Sequence, residues 1–123
     1  MKLYTETKCN EKYSKKGYFS TCIYDRINTI INTLSDDDFK CSDENHWVYS
    51  EQVEARRTNL LNNLDKIINP DPNWEFHDDL EYQLNELAEN RQRPTTREYV
   101  YESLKELIEV SDSRIEYVRF AWF

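Results

Sequence analysis

The side chains best suited to acid–base or metal chemistry gather in NPDPNWEFHDDLEYQLNELAEN, Asn69–Asn90, which holds seven carboxylates and one histidine but no lysine or arginine. His77, flanked by Asp78 and Asp79, is its densest point. On a helix, consecutive residues point about 100° apart, so these three cannot clasp one ion, and only His77 and Glu81 share a ridge. His46 is the only other histidine, and neither HExxH nor ExxH spacing brings it a partner. No metal and no cofactor is therefore expected. General acid–base catalysis needs one carboxylate desolvated enough to raise its pKa, whereas amphipathic placement leaves most of these on the wet side. Cys41 and His46, five apart, are the nearest approach to a nucleophile and base, and no motif supports them. The single glycine, Gly17, removes GxGxxG, GxxxxGK[ST] and GxSxG together. These absences point away from an enzyme.

Charge is segregated along the chain. Residues 1–19 carry five lysines against Glu6 and Glu11, a balance of +3 that leaves −11 for the rest of a chain whose formal net charge is −8. Residues 36–54 hold seven carboxylates and only Lys40, and residues 71–90 hold seven with no base at all. Lys8, Lys12, Lys15 and Lys16 are the only basic cluster, which disfavours direct nucleic-acid binding and reads as a basic N-terminal arm over residues 1–18.

The elements that must position these groups read as helices. A chain of 123 residues, 38% hydrophobic and 14% aromatic, suffices for one folded domain spanning 1–123. Phe19, Ile23, Ile27, Ile30, Ile31 and Leu34 make a helical stripe behind Ser20 as N-cap. A second helix is expected from about Asn45 or Ser50 to Ile68, with Val53, Arg57, Leu60, Leu61, Leu64, Ile67 and Ile68 as its stripe, stopped by Pro70 and Pro72. Asp71 followed by Pro72 reads as an N-cap and first position of a third helix that buries Phe76, Leu80, Leu84 and Leu87 and ends at Asn90. Thr95 and Glu98 form a capping box for a fourth, carrying Val100, Leu104, Leu107 and Ile108 inward. In the C-terminal DSRIEYVRFAWF, Ile115, Val118 and Trp122 suit a helix, the reading preferred here; Val118, Phe120 and Trp122 suit a strand, which could pair with the alternating MKLYTETK as a small terminal patch. The expected fold class is all-α, a bundle of four to five helices. Cys9, Cys22 and Cys41 read as thiols in or near the core of a cytoplasmic protein, without signal peptide or membrane span.

On this scaffold Glu75, Asp78, Asp79, Glu86 and Glu89 fall opposite the apolar side of the third helix, with Tyr82 projecting among them. Glu98, Glu102, Glu106 and Glu109 do the same on the fourth, with Lys105 at the margin. Like charges four apart cost a helix a few tenths of a kcal/mol per pair, so stability alone does not select such ridges. They serve either as solvated, solubilising faces or as a surface for a basic protein partner, with carboxylates about 6 Å apart along the axis standing in for successive phosphates. Tyr82 is either the anchor of that surface or the edge of the core.

In size, acidity, cytosolic character and helix-rich pattern the chain resembles bacterial immunity proteins that neutralise nuclease toxins of bacteriocin and contact-dependent inhibition systems. The resemblance is one of class, without a signature motif or matched binding positions. It implies a cognate basic toxin domain bound one to one, with its substrate cleft occluded. The alternative is a phage-encoded DNA mimic that inhibits a host defence nuclease of the CRISPR or restriction type.

Overall fold

A computed structural model describes residues 3–5, 24–36, 40–41, 52–90 and 94–122. The elements run β1 (Leu3–Thr5), α1 (Tyr24–Ser35), β2 (Lys40–Cys41), β3 (Gln52–Arg56), α2 (Arg57–Asn63) with a 3-10 turn (Leu64–Ile67), α3 (His77–Ala88), α4 (Arg97–Val110) and β4 (Tyr117–Trp122). The fold is thus mixed α/β, not the expected all-α bundle. A four-stranded antiparallel sheet in the order β1-β4-β3-β2 takes part in the core alongside the helices.

The sheet overturns two helical expectations. Gln52–Arg56 alternates, with Val53 and Ala55 buried and Glu54 and Arg56 half-exposed, a period of two. The four-residue step from Val53 to Arg57 that suggested one long helix crosses the boundary between a strand and the helix after it. In Tyr117–Trp122, Val118, Phe120 and Trp122 are buried together with the small Ala121, while Arg119 is exposed and Ile115 stays in the preceding turn. What decides both cases is a partner distant in sequence: β3 and β4 pair with Val53 opposite Phe120 and Ala55 opposite Val118. The terminal patch does form, with Leu3 opposite Trp122 and Thr5 opposite Phe120. Leu3–Thr5 therefore belongs to the sheet and not to a free arm; the rest of that expected arm, along with Phe19, Ser20, Ile23, Cys9, Cys22, His46 and the side chain of Cys41, lies outside the described residues.

α1 follows its stripe, with Ile27, Ile30, Ile31 and Leu34 fully buried. It ends at Asp36, which takes φ 57°, the left-handed position usually given to glycine. The carbonyls left free at this end are met from α2, where Asn63 Nδ2 donates to Leu34 O at 2.7 Å and Asn59 Nδ2 to Ser35 O at 2.5 Å. Two buried bonds tie helices to sheet: Trp122 Nε1 donates to Asn28 Oδ1 at 2.9 Å and Thr5 Oγ1 to Leu107 O at 2.8 Å.

Helix starts differ from the capping rules in instructive ways. Asp71 does not open α3; its Oδ1 accepts from Asn73 N at 3.0 Å and its carbonyl from Trp74 N at 3.1 Å, making a turn. That turn lets Trp74 and Phe76 meet edge to face with centroids 5.7 Å apart before the helix begins at His77. α3 closes at Ala88, so Asn90 lies just beyond it. In α4 the cap is Thr96, whose Oγ1 accepts from Tyr99 N at 3.2 Å, while Thr95 is buried; Glu98 therefore falls one place short of a capping-box partner. Among the described residues no helix is long and apolar enough to cross a membrane.

Candidate partner-binding faces

α3 buries Leu80, Leu84 and Leu87 and turns Asp78, Asp79, Tyr82 and Glu89 to solvent. Tyr82 is 57% exposed, so it is not an edge of the core. Glu75 is exposed too, but it sits in the turn before the helix and does not belong to its ridge. Glu86 is half-buried because Arg26 reaches across from α1: its Nη1 donates to Gln83 Oε1 at 2.6 Å, its Nη2 lies 4.0 Å from Glu86 Oε2, and the guanidinium carbon stands 5.6 Å from the Tyr82 ring centroid. The block without bases in its own sequence thus receives them from elsewhere in the chain, Arg26 here and Arg97 at Glu81. Among the described residues no cation is placed in ion-pairing distance of Asp79 or Glu89.

Not every carboxylate here calls for a partner. Asp78 and Asp79 lie in the first turn of α3, where the helix dipole favours negative charge by about 0.3–1 kcal/mol each. Glu86 in the last turn and Glu89 at the C-cap oppose the same dipole, and no base occupies that turn. α4 repeats the pattern: Glu109 lies in a last turn without a base, and Glu98 in the first. Glu98, Glu102, Glu106 and Glu109 are all exposed, as expected from their spacing. Beside them lies an open groove of about 430 Å³ lined by Tyr99, Glu102, Ser103, Lys105, Glu106 and Glu109. Tyr99 is 49% exposed, and Lys105 Nζ stands 5.7 Å from the Tyr101 centroid.

His77 lies at the junction of α3 with the start of α4. Its Nδ1 is 3.0 Å from Asp78 Oδ1 and its Nε2 3.5 Å from Glu81 Oε1. Glu81 is held in turn by Arg97, which also donates to Ile67 O at 3.3 Å. His77 touches both carboxylates and is 22% exposed, and one of the two, Glu81, is shared with an arginine. The cluster fastens three segments. Among the described residues no group of three or more His, Cys, Asp or Glu side chains could hold a metal ion.

Sequence reasoning placed Tyr82 and, apart from Glu75, the acidic faces; it took Arg57 for part of an apolar stripe and missed Arg26, Arg97 and Tyr99. Arg26 and Tyr82 are far apart in the chain and meet only because α1 packs on α3. No family model, curated protein or solved structure matches the chain.

Proposed function

We propose that the chain is a stoichiometric inhibitor of the immunity type, which binds a basic nuclease toxin domain one to one and covers the cleft that domain uses for nucleic acid. One observation carries the reading: exposed carboxylates, Glu89 at the C-cap of α3 and Glu109 in the last turn of α4, stand against the helix dipoles without bases in those last turns, with Tyr82 projecting from the first face. Stability does not account for that arrangement, whereas docking of a cationic surface does. Collected negative potential speeds encounter, and a desolvated aromatic ring slows release. Such an inhibitor has no reaction of its own and acts in the cytoplasm, where the toxin's substrate lies.

The test is affinity capture from the native host, identification of the bound protein, and a nuclease assay of that protein with increasing amounts of this chain. Activity should fall linearly to the baseline at one equivalent. A partner that is not basic, or that stays active when saturated, rejects the reading; a host defence nuclease as partner marks the chain as a DNA mimic instead.

A further inference from the structure

We infer that α3, not α4, is the docking face, and that it takes an arginine of the partner on the flank of the Tyr82 ring opposite Arg26. The inference rests on the proposed partner-binding role and narrows it to one helix and one side chain.

The structure already shows how this face treats a guanidinium. Arg26 lies over the Tyr82 ring, donates to Gln83 and approaches Glu86, so aromatic face, amide oxygen and carboxylate converge on a planar cation. It comes from one flank only, the side of Gln83 and Glu86. By helical spacing Asp78, Asn85 and Glu89 stand on the other flank of Tyr82, at i−4, i+3 and i+7, and all three are exposed. A second guanidinium arriving there meets the same set of groups: a ring, an amide and carboxylates. Arg26 is itself partly neutralised by Glu86, so its charge does not close the site to another cation.

α4 also presents a ring among carboxylates, Tyr99, but without an amide beside it: Lys105 stands within its acidic groove, and both Tyr99 and Glu106 already make contacts inside the chain, whereas on the α3 flank only the Asp78 side chain does, 3.0 Å from His77. Within α3 from His77 to Ala88 there is no lysine or arginine. Charge complementarity therefore favours α3, and the exposed ring favours arginine over lysine, because a guanidinium stacks on an aromatic face while an ammonium is a strongly hydrated point charge.

The experiment uses two probes, hexaarginine and hexalysine peptides with blocked ends, titrated into the isotope-labelled full chain at low ionic strength and followed by amide chemical shifts. Hexaarginine should bind at least about threefold tighter than hexalysine, with shifts centred on Asp78, Tyr82, Asn85 and Glu89. Tyr82→Phe should keep the preference and Tyr82→Ala should bring the ratio to about one, while Glu102→Gln with Glu109→Gln leaves it unchanged. Equal affinities in the unaltered chain, or shifts centred on α4, overturn the inference yet leave a basic partner possible through the other face. Failure of both peptides to bind anywhere overturns this inference and the proposed partner class together.

Discussion

At the scale of single residues, Arg57 shows how a charged side chain can be spent on architecture. Its Nε donates to Ile115 O at 3.3 Å, Nη1 to Ile108 O at 3.4 Å and to Ser111 Oγ at 2.6 Å, and Nη2 to Asp112 O at 2.5 Å. Burial lowers its pKa from the ordinary arginine value, and Asp112 works against that fall. The guanidinium meets the carbonyls left at the end of α4 and fixes the turn leading into β4. Replacing it with methionine keeps the apolar stem and strands these acceptors, so Arg57→Met should cost about 2–3 kcal/mol in urea unfolding. Arg57→Lys should recover only part of that, since one ammonium cannot span the same fork. From the sequence Arg57 was an odd member of an apolar stripe; no local pattern names acceptors fifty or more positions away.

At the scale of elements, propensity and periodicity succeeded where an element contacts the core through its own repeat, as in α1, α3 and α4. They failed where pairing decides. Val53 and Ala55 occupy a short alternating segment that a helix pattern can absorb as readily as a strand, and only the ladder against Phe120 and Val118 resolves it. Hydrogen exchange gives a direct check: the amides of Val118 and Phe120 should be protected close to the global unfolding limit, and rapid exchange there would contradict the central position of β4. Capping provides a second check. Thr96→Ala should cost about 1 kcal/mol through loss of the bond from Tyr99 N, measured by thermal or urea unfolding. The edge strand provides a third, because Leu3 is fully buried in a strand of three residues, and Leu3→Ala should cost about 2–5 kcal/mol although it lies almost at the chain's start.

At the scale of the whole molecule, a net charge of −8 is distributed so that α3 and α4 carry acidic outer faces while arginines serve the junctions: Arg26 between α1 and α3, Arg57 beneath α4, and Arg97 joining α4 to Glu81 and Ile67. A partner held by such faces should bind more weakly as salt shortens the screening length from about 10 Å at 0.1 M to about 3 Å at 1 M, with the loss appearing mainly in the association rate; an affinity indifferent to salt would remove electrostatics from the interface. The sequence by itself determined what one helix can decide alone: which residues of α1, α3 and α4 turn inward, where the carboxylates collect, and that Tyr82 stands among them, because a period of about 3.6 residues fixes faces without reference to any neighbour. Only the tertiary structure decided that Gln52–Arg56 and Tyr117–Trp122 are strands and that Arg26 seats itself on Tyr82. Strand pairing and contacts between helices depend on groups far apart in the chain, and the free energy that selects them comes from burial and hydrogen bonds formed only once those groups meet.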